Sequence, residues 1–370
     1  MEQIIITDYA GLDNWLLQNK AKKIMLVCGK SIERQRINEY FQQIPQRLGV
    51  TVVPFMGFAP NPQYESVCEG IKTFHEKKCD TIVAVGGGSA MDVAKCIKLF
   101  SNMEAGRNYL EQIIMPNSIP FLAMPTTAGT GSEATRFAVI YYQGAKQSVA
   151  DPSCIPGAVF LDSSSLKTLP EYQKKATMMD AFSHALESYW SINSTEESKA
   201  FSRSALRMII DNMDGYLSNT EEGNRNMLLA ANIAGKAINI TQTTAGHAMC
   251  YKITSLYGCA HGHAAFLCNR VLFPWMIRHT EDCIDPRGKE YLNNTFLEIA
   301  QILGSNTPED AAEKLNARFL SLDMQIPKAT AEDYAILRSS VNPVRLKNHP
   351  IYLSTDTIDL LYHDILREKT

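Results

Sequence analysis

Thr81-Ile-Val-Ala-Val-Gly-Gly-Gly-Ser-Ala-Met-Asp-Val-Ala-Lys-Cys-Ile97 starts as a buried-strand run and ends with helical spacing, and three glycines stand at the change. Without side chains, Gly86, Gly87 and Gly88 let backbone N–H groups approach an anion closely. Ser89 follows, and the helix N-terminus there adds the positive end of its dipole. The stretch reads as strand, pyrophosphate-binding turn and helix, and Asp92 is grouped with it. Its spacing is not GxGxxG, so a plain tight turn is the competing reading. A second loop, Pro125-Thr-Thr-Ala-Gly-Thr-Gly-Ser-Glu133, offers hydroxyls at Thr126, Thr127 and Thr130 after the next strand. Two such loops on adjacent strand ends favour a dinucleotide site.

Outward from this stretch, β-branched runs at 23–28, 51–55, 81–85 and 120–124 alternate with helical patterns at 32–48, 63–77 and 90–100. That alternation predicts a parallel sheet covered by helices. Further extended stretches at 136–142 and 148–162 are broken by Pro152, Pro156 and Gly157. After Pro170 strand signals stop, and 174–190, 199–217, 227–243 and 308–322 carry helical periodicity. The expected fold is therefore α/β plus all-α. Residues 1–169 are expected to form a parallel-sheet dinucleotide-binding domain, and 170–370 a helical bundle. A length of 370 residues suits two domains.

With 45% hydrophobic and 20% charged residues the chain is in the globular range, and a net charge of -3 gives no basic field for nucleic acid or an anionic membrane. No apolar run approaches the roughly 18 residues a membrane span needs, and the first eight residues lack signal-peptide features. A cytoplasmic location is expected. The nine cysteines are scattered without a CxxC pair and read as reduced thiols.

Asp180 and His184 stand four apart in a helical segment, so one helix face can present both to a single metal. A surface hydrogen bond is the plainer alternative. Three more histidines, His247, His261 and His263, fall in GHAMCYKITSLYGCAHGHAAF, where Gly258 and Gly262 suggest a break that turns His261 towards His247. A three-nitrogen, one-oxygen set without cysteine suits Fe(II) or Zn(II) with an open position for substrate.

Taken in order, PNPQYESVCEG from Pro60, GGGSAMDVAK from Gly86, PTTAGTGSE from Pro125, the DP-x3-PG stretch from Asp151 and DAFSHALE from Asp180 resemble the landmarks of the iron-containing (group III) alcohol dehydrogenases. The resemblance spans essentially the whole chain. It implies the dehydroquinate synthase-like fold of that family, metal ligands at Asp180, His184, His247 and His261, a nicotinamide dinucleotide, a small aldehyde or alcohol substrate and a homodimer. Two departures stand out. Where many members carry a further histidine thought to help proton transfer, this chain has Tyr251 with Lys252 beside it; His263 is a possible substitute, with a packing role as the alternative. Where NAD-using relatives often carry an aspartate after the first strand, this chain has Gly29, then Lys30, Ser31 and Arg34. An acid there would repel a 2′-phosphate, so its absence favours NADPH over NADH.

The stretch from His247 to Leu256 and that from Val341 to Asn348 resemble the phosphonate-metabolism branch, whose members reduce phosphonoacetaldehyde to 2-hydroxyethylphosphonate. Lys252 and Arg345 are then candidates to clamp the phosphonate, against the alternative that both are solvated surface cations. Reductases of butanal, lactaldehyde or succinic semialdehyde are the competing assignment. Dehydroquinate synthases share the architecture, but carry a glutamate where Asp180 stands. A nucleotide-binding protein without catalysis would have no use for the ligand set.

Overall fold

The computed structural model describes residues 3–341 and 343–368, the side chains of Val344 and Arg345 excepted; the clamp candidate Arg345 thus lies outside the described residues. Strands Ile4–Ile6 (β1), Lys23–Cys28 (β2), Thr51–Phe55 (β3), Thr81–Gly86 (β4), Phe121–Pro125 (β5) and Ala158–Phe160 (β8) form one sheet. Every pair is parallel, in the order β1-β8-β5-β4-β2-β3. Helices Tyr9–Gln18 (α1), Arg36–Leu48 (α2), Tyr64–Glu76 (α3) and Gly88–Phe100 (α4) supply the crossovers. Strands β2, β4 and β5 are buried almost throughout, as a sheet covered on both faces requires.

The strand order reverses around β2. From β2 the chain moves outward to β3, and then returns to place β4 on the other side of β2. Open parallel sheets bind ligands at such a reversal, outside the carboxyl ends of the strands. The loops that leave those ends begin at Gly29 after β2 and Gly87 after β4.

Several local elements differ from the sequence expectation. Ile4–Ile6, too short to give a periodic signal, is an edge strand paired with β8. The extended stretches after Thr135 form an antiparallel hairpin, Phe137–Tyr142 (β6) with Ala145–Ala150 (β7), ahead of β8. Its two-residue turn, Gln143-Gly144, has φ of 51° and 76°, the left-handed pair that suits a tight hairpin. The expected helix at 32–48 is instead a 3-10 turn, Lys30–Arg34, and α2, separated by extended Gln35. Strands do not stop at Pro170: Lys328–Ala329 (β9) pairs in parallel with Arg367–Glu368 (β10).

The chain divides into two compact units, 1–169 with 219–232, and 170–218 with 233–370. The stretch 219–232, placed in the second domain by sequence, groups with the first unit in this division. There Asn232 Nδ2 donates to Gln3 Oε1 at 3.3 Å and Glu133 Oε1 at 3.4 Å. Helices Glu171–Trp190 (α5), Glu196–Leu217 (α6), Glu221–Thr241 (α7), Ala245–Tyr257 (α8), His261–Arg278 (α9), Lys289–Ile302 (α10) and Pro308–Ser321 (α11) follow. Ala331–Ser339 (α12), Pro343–Leu346 (α13) and Thr355–Ile365 (α14) complete the run. Helix α5 is buried without interruption from Met178 to Trp190, so it is a core helix with no solvent face there. The polar residues on that stretch, among them Asp180, His184 and Glu187, must find partners inside.

Candidate functional site

In the first unit the two glycine-bearing loops meet. Gly86 has φ +155° and its carbonyl accepts from the Thr126 N–H at 3.0 Å. A Cβ on Gly87 would lie 3.4 Å from Thr127 Oγ1, and one on Gly88 3.2 Å from Thr130 Cγ2. The glycines thus let the loop after β4 lie close against the threonine loop after β5. Helix α4 starts at Gly88 without any side-chain cap, which leaves its first turn suited to an anion. Ser89, Thr126, Thr127 and Thr130 are half-buried at this junction.

Asp92, expected at the cofactor, is tied to the threonine loop. Ser132 Oγ donates to its Oδ1 at 3.2 Å, and burial lifts its carboxyl to about 6 against the pull of Lys95. The Lys95 ammonium is fully buried and donates to Ser132 Oγ, Thr135 Oγ1 and the Phe137 carbonyl at 3.1, 3.1 and 2.7 Å. These bonds hold α4 to the loop. After β2, Gly29 stands ahead of the 3-10 turn at φ -91°, with Lys30, Ser31 and Arg34 exposed.

In the second unit, α5, α8 and α9 bring distant parts of the sequence together. Asp180, His247 and His261 each present a donor atom, all within 4.8 Å of one another. His184 stands next to these three: its Nε2 is 3.8 Å from Asp180 Oδ1, and its ring stacks on that of His247 with centroids 4.6 Å apart. Asp180 Oδ1 and His247 Nε2 face each other at 3.5 Å, and neither makes a hydrogen bond although both are buried. Two buried, unpartnered atoms that can each offer a lone pair require an explanation, and a cation bonded to both supplies one. Burial would raise the Asp180 carboxyl, but His184, His247 and His261 outweigh it and hold it low. Burial would likewise strip His247 of its proton, yet Glu187 and Asp180 raise it to about 9. Surroundings that favour a positive charge on this ring also favour a divalent ion in place of the proton.

Sequence reading passed over Glu187. It is fully buried on α5, and its Oε1 is 2.5 Å from His247 Nδ1. The same oxygen accepts from Asn269 Nδ2 at 2.8 Å, while Oε2 accepts from the Thr244 N–H at 2.6 Å and Thr244 Oγ1 at 2.9 Å. A usable signal was in the spacing, since 180, 184 and 187 lie on one helical stripe.

The remaining candidates sit around this centre. The Tyr251 ring stacks on His261 at 5.4 Å, and Lys252 next to it is half-buried. His263 does not join the group. Two residues past His261 on a helix its side chain points to another face, where Nδ1 meets the Tyr172 hydroxyl at 3.1 Å and the ring lies 6.1 Å from that of Phe319. Burial, aided by Arg270, lowers its pKa to about 4.

Residues 8–163 match the profile described as iron-containing alcohol dehydrogenase, and residues 174–338 that of the C-terminal part of the same family. The chain is 31% identical to the 1,3-propanediol dehydrogenase of Klebsiella pneumoniae over 322 residues, covering 83% of this chain and 80% of the relative. It is 28% identical to the aldehyde-alcohol dehydrogenase of Streptococcus pneumoniae over 318 residues, and covers only 36% of that longer protein. The structure of sulfoacetaldehyde reductase from Bifidobacterium kashiwanohense in complex with NAD+ superposes with a TM-score of 0.84 at 24% identity, covering 98% of this chain and 96% of that one. From the loops of the sheet to the carboxylate and histidines of the helical unit, and over both profiles, the chain belongs to the iron-containing alcohol dehydrogenase family.

Proposed function

We propose that the protein is a metal-dependent, NAD(P)H-linked reductase of a small anionic aldehyde, phosphonoacetaldehyde, which it converts to 2-hydroxyethylphosphonate. The observation that carries the reading is the buried convergence of Asp180, His247 and His261, with Asp180 Oδ1 and His247 Nε2 left without hydrogen bonds. When bound, Fe(II) or Zn(II) supplies Lewis acidity towards a carbonyl oxygen and the reduced nicotinamide supplies the hydride. The chain's own residues hold and orient. Asp180, His184, His247 and His261 retain the ion. Gly86, Gly87, Gly88 and Ser89, with Thr126, Thr127 and Thr130, cradle the pyrophosphate, and the acid-free Gly29-Lys30-Ser31 segment accepts the 2′-phosphate of NADPH in preference to NADH. Lys252, five residues past His247, attracts the phosphonate as a point charge. Tyr251, whose ring stacks on that of His261, passes the proton in this reading.

The names of the relatives support a short-chain carbonyl, and sulfoacetaldehyde differs from phosphonoacetaldehyde only in the anionic group beyond the aldehyde. The proposal takes the active species as a cytoplasmic homodimer. Its test is the rate of loss of reduced nicotinamide with phosphonoacetaldehyde, sulfoacetaldehyde, lactaldehyde, butanal and succinic semialdehyde, with Fe(II) or Zn(II) restored. The highest kcat/KM is expected on phosphonoacetaldehyde with NADPH. A neutral aldehyde as the best substrate removes the phosphonate; no turnover of any aldehyde removes the reductase.

A further inference from the structure

We infer that Glu187 is the positioning residue of the metal centre, fixing the His247 ring and the first turn of α8 together; the inference rests on the metal site proposed above. Three observations converge on it. First, the carboxylate is fully buried and contacts a ring nitrogen of His247 at 2.5 Å. Both of its oxygens accept, Oε1 from Asn269 Nδ2 and Oε2 from the Thr244 N–H and hydroxyl, so towards His247 the carboxylate is again the acceptor and Nδ1 carries the hydrogen. The other nitrogen, Nε2, is then the one left to take a metal in place of the ring's second proton, and it is the atom that faces Asp180 Oδ1 at 3.5 Å. One hydrogen bond therefore selects the tautomer that a metal can use.

Second, Glu187 substitutes for the missing cap of α8. No side chain of Thr244 caps that helix; the Thr244 N–H and hydroxyl both donate to Glu187 Oε2 instead, and the His247 N–H points at the same oxygen at 3.4 Å. A carboxylate at a helix N-terminus is favoured by the dipole and satisfies N–H groups that have no partner within the helix. Ring and backbone of His247 are thus held by a single side chain.

Third, the surroundings are shaped to admit it. Gly246, ahead of His247, has no Cβ, and one placed there would lie 2.6 Å from Glu187 Oε1 and 2.1 Å from Asn269 Oδ1. Asn269 is eight residues after His261 on α9, hence on the same helical stripe, and donates to Oε1 at 2.8 Å. Glu187 itself follows Asp180 by seven residues on α5. Each of the three helices that carry a candidate ligand also contributes to this one carboxylate cluster.

The test is Co(II) binding to the full-length chelator-stripped protein, followed by equilibrium dialysis and by the visible absorption bands of the bound ion. Glu187→Gln keeps the size of the side chain and removes its charge. It is expected to weaken Co(II) by about 10- to 100-fold and to shift the bands, because the His247 donor loses its orienting partner. Asn269→Ala leaves the charge and removes one bond to Oε1; a smaller loss in the same direction is expected, and it carries the test if E187Q does not fold. A merely structural Glu187 would lower the melting temperature and leave both Co(II) affinity and spectrum as in the wild type, and that result in either folded variant overturns the inference. Failure of the wild type to bind Co(II) would instead overturn the metal reading and this one with it.

Discussion

Gly262 separates the second and third histidines of the later cluster, and at this position the helices leave no room for a methyl group. A Cβ there would meet the Ala176 carbonyl oxygen at 2.1 Å, Asp180 Cβ at 2.4 Å and the Asp180 nitrogen at 2.7 Å. Two of the three are backbone atoms of α5, which no rotamer change can withdraw. To bring 2.1 Å to an ordinary contact of 3.4 Å, α9 must move from α5 by about 1.3 Å. The displaced residues are the neighbours of His261 and Asp180 themselves. Gly262→Ala should therefore cost about 1 to 3 kcal/mol by overpacking, and lower the melting temperature by roughly 2 to 12 °C for a unit of this size. It should also weaken Zn(II) by about tenfold or more, as other disturbances to the support of metal ligands do. Thermal unfolding followed by circular dichroism reads the first effect, and equilibrium dialysis of the stripped protein against Zn(II) reads the second. A variant that matches the wild type in both would refute the close packing of α5 on α9 at the site. One that melts lower but binds Zn(II) equally would show that Asp180 and His261 do not share an ion.

His349 is fully buried with neither ring nitrogen hydrogen-bonded, and burial lowers its pKa from 6.5 to about 4, against the opposing pull of Glu187. Between those values the unfolded chain binds more protons than the folded one, so His349 costs stability as pH falls from 6.5 towards 4, by up to about 3 kcal/mol. Urea unfolding across that window should show His349→Leu gaining on the wild type as pH drops; parallel curves would contradict the burial argument. At the nucleotide site, Gly29 can take a side chain, since the nearest atom to a Cβ is Ser31 Oγ at 3.9 Å. Gly29→Asp should move preference from NADPH towards NADH by about 1 to 3 kcal/mol in kcat/KM, and a wild type already better with NADH would disprove the loop reading. Lys252→Ala should raise KM for phosphonoacetaldehyde far more than for propanal, because only the anion loses a partner; equal changes on both substrates would rule out the clamp.

Much of this protein is written locally. The run from Thr81 to Ile97 announces its strand, turn and helix because a short β-branched apolar run, helical spacing and glycine freedom act over a few residues, and β2 to β5 and the long helices are legible for the same reason. Asp180 and His184 declare a shared helix face by spacing alone. What local pattern cannot carry is which of several histidines meet. His247 and His261 stand on separate helices, and only the packing of α8 and α9 on α5 selects them while turning His263 towards Tyr172 and Phe319. The order of strands, the edge strand Ile4–Ile6 and the reversal at β2 are likewise set by pairings between distant segments. Glu187 shows the division most clearly. Its residue type and stripe are in the sequence, but a carboxylate on a helix is ordinarily solvated. Only burial of α5 on every side removes water from it, so that His247, Thr244 and Asn269 satisfy it in place of solvent.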